Sequence, residues 1–253
     1  MEALDGRTCL ITGASSGLGA HFARLTAGAG ARVVLAARRL DRVQALAAEI
    51  VASGGAALPV VMDVCDEASV SAAFDAAESA FGTVDTIVAN AGVSAPGRST
   101  EIGVESIHSV LETNVLGAML SAREGARRLI AAGSRESGRG RIVLIGSITA
   151  EMTGQGETIY SASKAAVAHM GRNLAKEWVR LGVNINVIQP GYIQTELSGD
   201  WFDSDGGKAQ IAGFNRRRLQ PIESLDQPLL YLCSDASAHT TGAVFTIDDG
   251  QVL

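Results

Sequence analysis

The chain has 253 residues, with 27 acidic and 21 basic side chains and a net charge of −6, a balance that argues against a nucleic-acid surface. Hydrophobic residues make up 47% of it but aromatics only 4%, so its core must be built from Ala, Val, Leu and Ile, as strands buried on both faces require. No apolar run approaches the roughly 18 residues of a membrane span. No leader peptide precedes the first apolar segment, and Cys9, Cys65 and Cys233 can neither all pair nor serve as metal ligands by spacing. The expectation is a cytoplasmic protein with no metal, no nucleic-acid partner and no membrane contact.

Residues 8–11 form the first predicted strand and lead into a helical pattern over 18–29 through the turn TGASSGLG. Gly13, Gly17 and Gly19 are spaced G-x-x-x-G-x-G, not the G-x-G-x-x-G of other dinucleotide folds. Strand, glycine turn and helix are nonetheless the setting in which such a motif cradles a dinucleotide. Glycines let the backbone approach closely, and a helix N-terminus offers unpaired N–H groups to a pyrophosphate. A second strand over 32–36 runs into Ala37, Arg38 and Arg39, followed by a helix over 41–52, a strand over 57–61 closed by Asp63, and a helix over 67–81. Asp41 and Asp66 are N-cap or first-turn acids, and Gly30, Gly54, Gly82 and Gly182 mark helix ends. The fourth strand, 83–89, ends at Asn90-Ala91-Gly92, and one long helix is predicted over 104–132 with an exposed loop over 134–140. The fifth strand, 141–145, leads to Ser147, and the helix over 159–181 carries Tyr160 and Lys164. The sixth strand, 184–188, ends at Pro190-Gly191; a helix over 225–234 and a strand over 243–247 complete the series. Between them, 194–215 is a long connection of the kind used as a binding loop or lid, and the basic run 216–218 reads as a solvated face. Alternation without a linker predicts one α/β domain over 1–253: a doubly wound parallel sheet of about seven strands, helices on both faces and ligands at the strand C-termini.

Tyr160 and Lys164 lie four residues apart in YSASK, on one face of the predicted helix. A phenol of pKa about 10 is a poor base at neutral pH, and a fixed cation beside it is expected to pull that value down toward the range where proton transfer is efficient. Ser147, thirteen residues upstream at the end of IVLIGS, adds a hydroxyl able to hold a carbonyl or alcohol oxygen. The three residue types together describe proton transfer to an oxygen whose carbon exchanges a hydride.

The series TGASSGLG, Asn90–Gly92, Asn114, Ser147, Tyr160/Lys164 and Pro190–Gly191 resembles, in order and spacing, the short-chain dehydrogenase/reductase family, including its 3-oxoacyl-carrier-protein reductase-like and carbonyl reductase members. The resemblance implies a Rossmann-type domain and a catalytic tetrad of Asn114, Ser147, Tyr160 and Lys164, with Asn114 distorting its helix and holding a water that links Lys164 to solvent. It places a cofactor against Gly13, Ser15, Ser16, Gly17, Leu18 and Gly19, along Asn90, Ala91 and Gly92, and against Tyr160, Lys164, Pro190, Gly191, Ile193 and Thr195. It matches Asp63 to a residue that meets the adenine amino group, with Val64 on the ring; the alternative for Asp63 is a helix cap. With Ala37 where an NAD-selective acid would stand, Arg38 and Arg39 suit the 2′-phosphate of NADP(H). Ser16 replaces a basic residue of some NADP-type relatives, so NAD(H) stays open.

The substrate side is expected to comprise Ser147, Thr149, Thr153, Gln155, Tyr192 and Trp201, which fits a small-molecule ketone or secondary alcohol without naming it. The alternatives are an NAD(H)-dependent alcohol dehydrogenase, a 3-oxoacyl thioester reductase and, remotely, a non-catalytic dinucleotide-binding regulator. The C-terminal VFTIDDGQVL is an apolar strand and tail with nothing later in the chain to cover it. With the resemblance, this implies a homotetramer; the alternative is a monomer whose tail folds over its own sheet.

Overall fold

Strands joined by helices pair in parallel, because each helix returns the chain to the end of the sheet from which it started. The computed structural model describes residues 3–253. Strands β1 (Thr8–Thr12), β2 (Arg32–Ala37), β3 (Ala56–Val61), β4 (Thr86–Ala89), β5 (Gly140–Ile145), β6 (Val183–Pro190) and β7 (Val244–Ile247) form one parallel sheet in the order β3-β2-β1-β4-β5-β6-β7. The helices are α1 (Gly17–Gly28), α2 (Leu40–Ala52), α3 (Glu67–Phe81), α4 (Val104–Leu111), α5 (Gly117–Ala131), α6 (Ser134–Ser137), α7 (Thr158–Trp178), α8 (Asp205–Gly213) and α9 (Asp226–Cys233).

Successive strand residues point to opposite faces, and the sheet has a core on each. Cys9, Ile11 and Val33 pack with Phe22 of α1, Val43 of α2 and Leu229 of α9. Leu10, Val34 and Ile87 pack on the other side with Phe74 of α3, Leu129 of α5 and Leu174 of α7. The strand order reverses between β1 and β4, which opens a crevice at their C-terminal ends, where such sheets bind ligands.

Four local differences from the sequence expectation have identifiable causes. The helix that periodicity predicts over 104–132 is interrupted by a π-turn at Glu112–Leu116, a deviation found mostly at functional sites and the distortion at Asn114 that the family resemblance, unlike the periodicity, implies. There Asn114 is drawn inward: its Oδ1 accepts from Val93 N at 2.8 Å, and its Nδ2 donates to Val93 O and Ser163 Oγ, each at 3.0 Å. The predicted loop over 134–140 contains α6, held by Ser134 Oγ donating to Leu181 O at 2.6 Å. Gly182 makes that approach possible, since a Cβ on it would lie 1.8 Å from Ser134 O. The connection over 194–215 is helical through much of its length, as two 3₁₀ turns (Glu196–Ser198 and Trp201–Asp203) and α8. Finally, β4 starts three residues later than expected, because Asp85 turns its carboxylate to Arg7 and Thr86. Arg7 is itself 1% exposed and also donates to Thr86 Oγ1 and Arg139 O and pairs with Asp235, tying the N-terminal end of the sheet together.

Candidate active site

The C-terminal ends of β1, β4, β5 and β6 deliver Gly13, Asn90, Ser147 and Gly191 to one cavity of about 1320 Å³. Its two halves differ in chemistry.

The first half is built on backbone. Gly13 has φ +67° and lies so close to the β4 exit that a Cβ would be 2.9 Å from Ala91 Cα. Thr12 Oγ1 accepts from Asn90 N and Ala91 N, each at 3.0 Å, which fixes that exit against the glycine turn. Ser15, Ser16, Gly17 and Leu18 line the cavity. Ser16 is the N-cap of α1 but makes no side-chain cap, so the first N–H groups of the helix are left for an anion. Gly19, expected on the cofactor, is not among the lining residues. It is the packing glycine, where a Cβ would sit 2.2 Å from Gly13 O. Ala91, Gly92, Asp63 and Val64 line the wall. Asp63 accepts from Cys65 N at 3.0 Å, and it is Asp66 that caps α3 through Ala68 N, which removes the helix-cap alternative for Asp63.

At the far rim Arg38 and Arg39 are both exposed, and Arg39 carries the hydrogen bonds. Arg39 donates from Nε and Nη2 to Ser15 Oγ, from Nη2 to Ser16 Oγ, and from Nη1 to Glu196 Oε1 at 2.8 Å. Arg42 grips the same carboxylate, and Arg39 with Ser16 lowers the Glu196 carboxyl to about 2. No sequence signal marks Glu196 as the partner of these arginines, because it comes from 157 residues away in the chain.

The second half carries the reactive side chains. Ser147 is 9% exposed; its Oγ accepts from Thr149 Oγ1 at 3.0 Å and Thr149 N at 3.2 Å. Tyr160 and Lys164 share one face of α7, with the ammonium 5.6 Å from the phenol ring centroid. Lys164 Nζ donates to Ile145 O at 2.9 Å. The expected lowering of the phenol pKa is not what the geometry gives. Burial pushes Tyr160 up to about 12, opposed by its contact with Ser147 and reinforced by Glu157. Burial likewise lowers Lys164 to about 8. Burial disfavours the charged form of each group, which favours the protonated phenol. Asn114 is 2% exposed behind Gly92, its side chain engaged by Val93 and Ser163. Both Nδ2 hydrogens are thereby used, while Oδ1, with two lone pairs, has Val93 N as its one donor among the described residues.

Tyr192, Gln155, Thr149 and Trp201 line this half together with Ile193, Thr195 and Pro190, but Thr153 does not. Thr195 also caps the first 3₁₀ turn in a capping box with Ser198. Tyr192 is stacked on Phe214 (5.6 Å between centroids) and edge-on to Phe202 (6.0 Å), and donates to Glu157 Oε2 at 2.9 Å. Trp201 Nε1 donates to Gln210 Oε1 at 2.7 Å. Two glutamines absent from the sequence reading clamp the backbone here: Gln220 Oε1 accepts from Gly191 N and Gln251 Oε1 from Tyr192 N. Neither position carries a sequence signal. Glu157 does, since it stands one helical turn before Tyr160.

A glycine-turned helix N-terminus at a parallel switch point, opening onto a serine, a tyrosine and a lysine, defines a dinucleotide-dependent oxidoreductase. A model of the short chain dehydrogenase family matches residues 7–206. D-threitol dehydrogenase of Mycolicibacterium smegmatis is 34% identical over 250 residues, 99% of this chain and 94% of that protein. Cis-4-hydroxycyclohexanecarboxylate dehydrogenase of Sinomonas cyclohexanicum is 35% identical over 252 residues, 98% of each chain. The crystal structure of a gluconate 5-dehydrogenase from Burkholderia cenocepacia J2315, in complex with NADP and tartrate, superposes with a TM-score of 0.92 at 31% identity over 98% of this chain and 96% of that one. The chain belongs to the short-chain dehydrogenase/reductase family and is an oxidoreductase acting on alcohol or ketone groups with a nicotinamide dinucleotide. No helix among the described residues is long and apolar enough to cross a membrane.

Proposed function

We propose that the protein is an NADP(H)-dependent enzyme interconverting a ketone and a secondary alcohol, with Tyr160 as general acid and base. The observation that carries this reading is the placement of Ser147, Tyr160 and Lys164 in one cavity with the glycine turn. Ser147 Oγ holds the substrate oxygen. Tyr160, kept neutral by burial, donates its proton to that oxygen in reduction and takes it back in oxidation. The bound nicotinamide supplies or accepts the hydride. Lys164 places positive charge behind the phenol as it loses its proton, and is positioned to bind the cofactor ribose. Asn114, at the π-turn, is the proposed anchor of a water that links Lys164 to solvent. Steady oxidation of NADPH on adding a cyclic or acyclic ketone tests the reading, and NADPH that stays unconsumed across a panel including a 3-oxoacyl thioester refutes it.

Arg39, rather than Arg38 alone, is the proposed 2′-phosphate ligand, since it already bridges Ser15 and Ser16. A charge-assisted hydrogen bond contributes about 1.5–3 kcal/mol, so Arg39→Ala should weaken NADPH roughly ten- to hundredfold and NADH far less. Glu196→Gln should act in the opposite direction, because a 2′-phosphate and Glu196 compete for one guanidinium. Fluorescence titration with both cofactors checks this, and equal NADH and NADPH affinities in the unsubstituted protein refute the NADP(H) preference.

A homotetramer remains the proposed assembly. Val252 and Leu253 of the tail are 39% and 93% exposed, as are Val104 (67%), Leu111 (40%) and Leu116 (44%) along α4 and the π-turn. Apolar faces of this kind call for a partner. Light scattering at micromolar concentration should give about four times the 26.1 kDa of one chain; a monomer mass excludes it. The names of the relatives point to a polyol in one case and hydroxy acids in two, which leaves the substrate of this chain to its own residues.

A further inference from the structure

The substrate half of the cavity contains a charge that the transfer chemistry does not need. Glu157 is the N-cap of α7, makes no side-chain cap and lines the cavity. It lies one turn ahead of Tyr160, and both phenols, Tyr160 and Tyr192, feel its charge. Tyr192 donates to Oε2, and no other side-chain bond to the carboxylate is made among the described residues, which leaves it acceptor capacity for a ligand in the cavity it lines. Tyr192 is itself wedged between Phe202 and Phe214, so the carboxylate is held by a rigid aromatic wall.

The positive groups lining the cavity lie elsewhere. Arg38 and Arg39 stand at the far rim of the glycine-turn half, Lys164 is buried behind Tyr160 on Ile145 O, and Arg98 is 83% exposed at the lip, facing Glu101 at 3.7 Å. Among the described lining residues, none of these cations is paired with Glu157. A carboxylate beside the reacting centre is a strong acceptor for a hydroxyl donor. It also repels a second carboxylate, since like charges brought together in a binding site are strongly disfavoured.

Resting on the oxidoreductase reading above, we infer that Glu157 selects uncharged substrates bearing a second hydroxyl near the reacting carbon, diols and polyols, and excludes hydroxy acids. Glu157 Oε1 accepts the neighbouring hydroxyl while Ser147 and Tyr160 hold the reacting one. Gln155 and Gln210, both lining the same half, offer neutral amides to further hydroxyls.

The test uses the full-length protein with NADP+ and three ring alcohols: cyclohexanol, cis-1,2-cyclohexanediol and cis-4-hydroxycyclohexanecarboxylate. The unsubstituted enzyme should favour the diol over the carboxylate by at least about tenfold in kcat/KM, and Glu157→Gln should shrink that ratio by about tenfold. NADPH titration of the variant reports that it is folded. A carboxylate used as well as the diol, or a ratio unchanged in Glu157→Gln, overturns the role of Glu157 while leaving the dehydrogenase reading intact. Absence of turnover with all three alcohols overturns both.

Discussion

Tyr160→Phe should lower kcat by about 10²–10⁴-fold, the usual range for loss of a general acid or base, and leave NADPH affinity nearly unchanged. The phenyl ring keeps the packing on α7 and loses only the hydroxyl that faces Ser147. The pH profile of the unsubstituted enzyme carries the same assignment. With the phenol pushed up to about 12 by burial, ketone reduction should stay flat through the neutral range, because the proton is already on Tyr160. Alcohol oxidation should climb with pH, since it needs the conjugate base. Stopped-flow and steady-state measurements in both directions check this, and near-normal turnover in Tyr160→Phe would remove Tyr160 from the chemistry.

Lys164→Met should abolish turnover to a comparable degree and, unlike most substitutions at a buried position, stabilise the protein. Burial holds the Lys164 ammonium at a pKa of about 8, against an ordinary value of 10.5. The folded state therefore binds the proton less well than the unfolded chain does. The resulting penalty is full below pH 8, is relieved as the pH rises from 8 toward 10.5, and is of the order of 3 kcal/mol at neutral pH. Met keeps the apolar stem and removes the charge, at the cost of the hydrogen bond to Ile145 O. Thermal melts at neutral pH should show a higher Tm for Lys164→Met, and the gap should close at alkaline pH. A variant that loses both activity and stability would mean that Lys164 is chiefly a structural donor to Ile145 O. This pairing of lost function with gained stability is expected where a site holds a charge that the fold itself disfavours.

The glycine turn and the YSASK helix were legible in the sequence because their signals are local. Gly13 and Gly17 mark positive-φ positions within one turn, and Tyr160 and Lys164 lie a helical turn apart, so spacing alone placed them on one face. The strands were legible for the same reason, as short β-branched runs long enough to be covered on both sides. Asn114 shows where locality fails. Helical periodicity runs through 104–132 without a flaw, yet the π-turn forms because the Asn114 amide finds Val93 and Ser163, neither of them near it in sequence. Thr153 and Gly19 are expected at the site, yet neither lines the cavity, and Gly19 is packed on Gly13.

The pattern of apolar runs, glycine turns and four-residue spacing by itself determined the doubly wound sheet, the cofactor turn and the pairing of Tyr160 with Lys164, because all three depend on backbone preferences and side-chain periods acting over a few residues. Only the tertiary structure decided the direction in which the pKa of each member of that pair moves, since desolvation depends on what the other elements pack over them. It alone brought Glu196 to Arg39, Gln220 and Gln251 to the backbone of Gly191 and Tyr192, and Tyr192 to Glu157. Contacts between residues 29 to 157 positions apart are set by the closure of the whole sheet.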